Sequence, residues 1–308
     1  MAKIGVVFPG QGSQYVGMGK DFIENFPEAK DIFEIGEGIT KLPLFELCLK
    51  GPLDTLTKTI FCQPTIFAVN LLCWYVFKKN LKLDSYVFAG HSLGEYSAFT
   101  AAGIFSIEDG FYLVKKRAEI MEENSTKIKG AMCAIIGKSL SEVENLLENW
   151  ENIEISNINS PSQIVVGGEK GEIEKFVSYL TEQKVKGVLL KVSGAFHTKF
   201  MKDSEPLLEK EIDKVTIRKQ FFPVYCNFSG EKVKYEEIKK VLVKQITSPV
   251  RWVEIVNNMI RDGVEIFVEV GPKNVLSNLI KKISSSIVVL NVEDTKSLEN
   301  TLGFLNKC

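Results

Sequence analysis

The chain has 308 residues, enough to bury a full core as one large domain or two unequal ones. Its 45% hydrophobic and 25% charged content is that of an ordinary soluble globular protein, and a formal net charge of −1 gives no reason to expect nucleic acid. Six cysteines (Cys48, Cys62, Cys73, Cys133, Cys226 and Cys308) are scattered with no Cys-x-x-Cys pair, which argues against a metal site and against a secreted disulfide scaffold.

Met1-Ala2-Lys3 runs straight into an apolar strand over 4–8 with no signal segment. Pro9-Gly10-Gln11-Gly12-Ser13-Gln14 follows. Its glycine spacing does not fit a dinucleotide fingerprint, so it reads either as a plain strand-to-helix loop or as one that lends a backbone N–H to a neighbouring site. Residues 21–50 read as amphipathic helix broken at Gly51-Pro52. Gln63-Pro64 then opens the longest apolar stretch, 65–77, which is interrupted by Asn70 and too short to span a bilayer. A cytoplasmic protein without membrane attachment is expected. Gln63 reads as a structural residue at the start of that helix, with lining a site as the alternative.

The central stretch is 86–102. An apolar strand over 86–89 turns at Gly90-His91-Ser92-Leu93-Gly94, and Glu95 opens a helix that stops at Gly103. Strand, tight turn and helix is the context in which Gly-x-Ser-x-Gly reads as a nucleophile elbow, with small neighbours on both sides of a strained serine. The helix that follows aims its N–H groups and positive dipole end at the serine. Ser106-Ile107-Glu108-Asp109 caps a helix over 110–124, on which Arg117 and Met121 share a face beside an apolar stripe. From this pattern alone Arg117 reads as a snorkelling surface arginine, a carboxylate clamp being the alternative.

Residues 130–193 show a separate rhythm: strand 131–136, helix 141–150, strands 153–158 and 163–167, helix 172–183, strand 185–192. This βαββαβ order predicts a ferredoxin-like subdomain inserted into a core made of 1–129 and 194–308. Its hairpin carries Asn157-Ile158-Asn159-Ser160-Pro161-Ser162-Gln163, whose amides either hold the turn or face a cleft. The insertion returns at Gly194-Ala195-Phe196-His197. The chain has two histidines. His91 lies inside the elbow and is expected to point away from Ser92, so His197 is the candidate general base. Strands at 224–227, 264–270 and 287–291 then alternate with helices at 235–245, 253–262, 275–283 and 297–306, which argues for a mostly parallel, doubly wound sheet.

These residues, together with Gln245-Ile246-Thr247-Ser248-Pro249-Val250-Arg251-Trp252 and Glu269-Val270-Gly271-Pro272, resemble essentially end to end the malonyl-CoA:acyl carrier protein transacylases, an acyltransferase family. The resemblance implies an α/β-hydrolase-like core with a ferredoxin-like insertion. It also implies transfer of malonyl from malonyl-CoA to the pantetheine thiol of acyl carrier protein, through a malonyl-serine ester, in fatty acid biosynthesis. CoA and phosphopantetheine would be substrate carriers, with no cofactor, and the enzyme a monomer. In these terms Ser92 is the nucleophile, His197 its base, and the Gln245 carbonyl orients the histidine. The N–H groups of Gln11 and Leu93 form the oxyanion hole. Arg117, with Met121 beside it, meets the malonyl carboxylate, Asn157 and Asn159 line the pantetheine side, and Phe196 narrows the pocket at the malonyl α-carbon. One departure is Lys273-Asn274, where the family usually has Gly-Lys.

A rival is a serine hydrolase, which normally runs serine, acid, then a histidine near the C-terminus; the long stretch without histidine after His197 weighs against it. An acidic carrier would need a basic patch, and Lys184, Lys186, Lys191, Lys199 and Lys202 cluster in sequence around the return from the insertion.

Overall fold

The computed structural model describes residues 3–81, 85–219 and 222–307; Met1, Ala2 and Cys308 lie outside them. Two sheets organise the chain. The first is a five-stranded parallel sheet of β1 (Lys3–Phe8), β2 (Tyr86–Gly90), β7 (Val224–Tyr225), β8 (Val264–Val270) and β9 (Val288–Val292), in the order β7-β2-β1-β8-β9. Both faces of such a sheet are covered, which explains strands that read as continuous apolar runs. Along β1, Ile4, Val6 and Phe8 face one core with Trp74, Phe77 and Phe88, while Val7 faces another with Trp252, Met259 and Phe267. Successive strand residues point to opposite faces, so one short strand joins two cores.

The first core is filled by the helix Thr59–Asn80, longer than the 65–77 expected from sequence, with Pro64 in its interior. Gln63 is therefore not at the helix start but inside it and buried. Among the described residues this is the one helix long and apolar enough to cross a membrane, and 83% of its apolar window is buried within the fold.

The second sheet is antiparallel: β3 (Gly130–Ile136), β4 (Ile153–Ser160), β5 (Gln163–Glu169) and β6 (Lys186–Leu189), in the order β4-β5-β3-β6. That order is the ferredoxin-like one. The final strand is shorter than 185–192: Leu190 still donates its N–H to the Met132 carbonyl (2.9 Å), after which Val192 packs against the cluster of Met132, Val165 and Phe196 instead of continuing the ladder. On one face Cys133, Ile135, Ile164 and Val166 pack on the helix Lys170–Glu182 through Ile173, Phe176 and Leu180. On the other, Met132, Ala134 and Val165 meet Met121, Phe196 and Met201. The sheet is thus apolar on both faces, and the second face closes a cleft over the elbow. Paired N–H bonds from Ile158 to the Val250 carbonyl (2.9 Å) and from Val250 to the Ser156 carbonyl (2.9 Å) tie the edge strand β4, beside Asn157, to the segment that enters the helix Trp252–Arg261.

Two features of the C-terminal part bear on family-like motifs. Glu269, at the end of β8, accepts the N–H groups of Leu276 (2.9 Å) and Ser277 (2.7 Å) and so caps the helix Val275–Ile283. Lys273 has φ 65, the left-handed region that costs a side-chain-bearing residue about 1–2 kcal/mol. A glycine there would avoid the cost; here the Lys273 N–H bonds Glu293 (2.5 Å) and its ammonium bonds the Gln14 carbonyl (3.1 Å).

Candidate active site

The elbow follows β2 without a break. Ser92 has φ 52, held in the left-handed region by bonds on all sides. Its N–H donates to Asn227 Oδ1 (2.7 Å), its carbonyl accepts from Gln245 Nε2 (2.8 Å), and Asn227 Nδ2 donates to the Gly90 carbonyl (2.6 Å). Over-determination of this kind is what lets a strained backbone persist at a site. A Cβ on Gly90 would stand 2.0 Å from the Gly94 carbonyl carbon, so the turn closes only with glycine. A Cβ on Gly10 would stand 2.4 Å from the His91 carbonyl oxygen and 3.6 Å from the Leu93 nitrogen. Glycine at that point lets the loop carrying Gln11 lie directly against the elbow, beside the Leu93 amide at the start of the helix Gly94–Ala101.

Ser92 Oγ lies 2.7 Å from His197 Nε2, and His197 Nδ1 lies 2.7 Å from the Gln245 carbonyl oxygen. A carbonyl only accepts, so Nδ1 carries the proton and Nε2 is left to take one from the serine. His197 itself has φ 61, with its N–H bound to the Ile246 carbonyl (3.1 Å). Burial, reinforced by the nearby Arg117 charge, pushes its pKa down to about 3, so the ring is neutral at neutral pH.

Arg117 is not a surface arginine. It is 1% exposed and reaches the same serine. Nη1 donates to Gln63 Oε1 (2.7 Å), and Nη2 to Gln245 Oε1 (2.9 Å) and Ser92 Oγ (3.1 Å). Its guanidinium carbon lies 5.5 Å from the Tyr96 ring centroid, and among the described residues its buried Nε has no partner. All three acceptors are neutral oxygens. Gln63 bonds Met121 Sδ (3.4 Å), which ties the arginine to the apolar wall.

A cavity of about 140 Å³ lies over the serine, and of the ten residues singled out from sequence all but Gln245 line it: Gln11, Ser92, Leu93, Arg117, Met121, Asn157, Asn159, Phe196 and His197. Gln245 sits behind it, fully buried. Asn159 Oδ1 lies 2.8 Å from His91 Nε2, and the His91 ring packs on Trp252 at 5.7 Å. The His91 ring, expected to turn away from Ser92, nonetheless lines the cavity. Sequence reasoning assigned no role to Asn227 or Glu95, favoured a structural role for Gln63 over lining the site, and placed Arg117 at the site only through the family resemblance, its pattern alone reading as surface. The only signal for Glu95 was an acid in the first turn of an otherwise apolar helix. Among the described residues no group of three or more His, Cys, Asp or Glu side chains is placed to hold a metal, and the five described cysteines are free and buried.

The chain has relatives among known proteins. Residues 6–303 match the acyl transferase domain family. A malonyl CoA-acyl carrier protein transacylase of Bacillus subtilis is 36% identical over the whole chain and 98% of its own length. The crystal structure of a malonyl CoA-acyl carrier protein transacylase from Clostridium perfringens superimposes with a TM-score of 0.93 at 38% identity, covering 99% of this chain and 98% of that one. A malonyl-transacylase solved in complex with its type II polyketide acyl-carrier protein is 32% identical with a TM-score of 0.94, covering 98% of this chain and 100% of that one. The chain belongs to the acyl transferase domain family, among its malonyl CoA-acyl carrier protein transacylases.

Proposed function

We propose that the protein moves malonyl from malonyl-CoA to the pantetheine thiol of acyl carrier protein, for fatty acid biosynthesis, through an ester on Ser92. The observation that carries this reading is Arg117: a fully buried guanidinium, touching the serine oxygen, whose protein partners are all uncharged. A buried cation without a carboxylate is costly, and a substrate carboxylate meets that need through two parallel hydrogen bonds. In the first half-reaction His197 Nε2 takes the Ser92 proton as Oγ attacks the thioester carbonyl. Negative charge gathers on the carbonyl oxygen, which the Gln11 and Leu93 N–H groups stabilise, and the C–S bond then breaks with the proton passing to the CoA sulfur. The carrier thiol attacks the ester in the second half-reaction, giving its proton to His197 and restoring the Ser92 hydroxyl. Phe196, Met132 and Val165 line an apolar wall that hinders water.

Three expectations follow from this mechanism. Arg117→Ala should cost malonyl transfer about 3 kcal/mol in kcat/KM, roughly a hundredfold, while loading acetyl-CoA better than the parent does. Steady-state assays with both donors decide it, and a retained preference for malonyl would count against the clamp. Because His197 is held neutral far below the ordinary histidine range, serine acylation from acetyl-CoA, which has no carboxylate for Arg117, should show no acid limb near about 6.5. A pre-steady-state pH profile with an acid limb near that value would contradict it. For the carrier, the structure narrows the lysine cluster. Lys199 pairs with Glu154 (3.1 Å) and Lys202 with Glu205 (2.8 Å), whereas Lys184, Lys186 and Lys191 are exposed near the edge strand β6, and Lys191 stands between Leu190 and Val192 of the cavity wall. Lys186→Glu with Lys191→Glu should raise the KM for carrier protein several-fold and leave the KM for malonyl-CoA alone. Equal rises in both would refute docking there.

A further inference from the structure

Glu95 is a carboxylate bonded directly behind the site, to Asn227 and Gln245, and the mechanism above does not use it. It is fully buried in the first turn of the helix that follows the serine. Its Oε1 accepts the Asn227 N–H (2.8 Å) and its Oε2 accepts Gln245 Nε2 in a short bond. The same Gln245 amide gives its oxygen to Arg117 Nη2 (2.9 Å) and shares Nε2 with the Ser92 carbonyl (2.8 Å). A guanidinium only donates, and an ionised carboxylate only accepts. An amide caught between them has one orientation that satisfies both: nitrogen toward Glu95, oxygen toward Arg117. Turned the other way, it would set two donors together at Arg117 and two acceptors together at Glu95.

We propose that Glu95 is a positioning residue that fixes the polarity of the Gln245 side chain, and through it holds Arg117 in place for an anionic acyl group. The geometry gives Glu95 two roles at once. Through Asn227, whose N–H it accepts, it backs the residue that holds the Ser92 amide and the Gly90 carbonyl. Through Gln245 it supplies the negative charge that balances Arg117 at one amide's remove, without occupying the guanidinium edge that a substrate needs. A carboxylate in direct contact with Arg117 would compete with the substrate; one relayed through a neutral amide does not. Burial drives the Glu95 pKa up to about 8, opposed by its N–H bonds from Asn227 and Gln245 and by the Arg117 charge. The charged and titratable groups around it are Arg117, Tyr96 and Cys226.

This inference rests on the malonyl transfer proposed above, and the test separates the two. Glu95→Gln keeps the side-chain shape but turns one oxygen into a donor, so the side chain can no longer accept from both the Asn227 N–H and the Gln245 amide, and the relay to Arg117 loses its charge and one of its bonds. Loading of Ser92 from malonyl-CoA and from acetyl-CoA is measured above pH 8 for the parent, Glu95→Gln, Gln245→Met and the double variant. The malonyl-to-acetyl ratio of kcat/KM should fall at least tenfold in Glu95→Gln, and the double variant should be no worse than Gln245→Met alone, since both changes break one relay. Equal losses with both donors, or ratio losses that add in the double variant, would reduce Glu95 to a structural residue and overturn the proposal. Should Glu95→Gln not fold, Glu95→Asp, which stays acceptor-only but reaches Gln245 less well, is read in the same way. A lowered ratio supports the relay, and the parent's ratio at a lower rate overturns it. If the parent itself shows no preference for malonyl, the failure lies with the proposed function and not with Glu95.

Discussion

A positive charge buried beside a nucleophile is the constraint on which the rest of the site depends. Arg117 at 1% exposure cannot be solvated by water, so every donor it carries must find an acceptor within the protein or in a ligand. Gln63 and Gln245 are drawn into the site to provide neutral oxygens, and Glu95 stands behind Gln245 as a carboxylate at one remove. The same charge helps hold His197 neutral, so the proposed carboxylate clamp and the state of the base depend on one buried cation. Its location on the helix Ile107–Lys127, packed against the core, gives it a fixed position that a loop arginine would lack.

The two sheets divide the remaining work. The parallel sheet, with β1 at its centre, supplies the strand end from which the elbow springs, as open parallel sheets present sites at the carboxyl ends of their strands. The antiparallel sheet contributes an apolar face and the asparagine-bearing hairpin, and so acts as a wall over the serine. The segment 245–250 joins them: its Gln245 carbonyl orients the base, its Ile246 carbonyl holds the His197 backbone, and Val250 pairs with the edge strand β4. A shift between the sheets would therefore disturb the serine–histidine distance directly.

Much of this was legible in the sequence, for physical reasons. The apolar run into Gly90-His91-Ser92-Leu93-Gly94 has few folded solutions, because glycine at 90 and 94 and a helix beginning at once leave little but an elbow. Period-two and helical patterns gave the succession of strands and helices along the chain, while the ends of elements moved by a few residues: 65–77 grew to Thr59–Asn80, and 185–192 shrank to Lys186–Leu189. Arg117 could not be read from pattern alone, since a snorkelling arginine and a buried one occupy the same helical position. Asn227 and Glu95 were invisible, and the two readings of Gln63 could not be separated, for a related reason. Each acts through a partner more than fifty residues away in sequence, or through an amide whose orientation is set by a third side chain. Local periodicity carries no information about such relays.

The central claim is that Ser92 takes up malonyl as a covalent ester in the absence of any acceptor. Intact-mass measurement after brief mixing with malonyl-CoA and no carrier protein tests it most directly. A single malonyl adduct is expected, mapped to Ser92, absent from Ser92→Ala, and discharged on addition of a pantetheine thiol. An unmodified protein that nevertheless transfers malonyl, or an adduct on another residue, would contradict it.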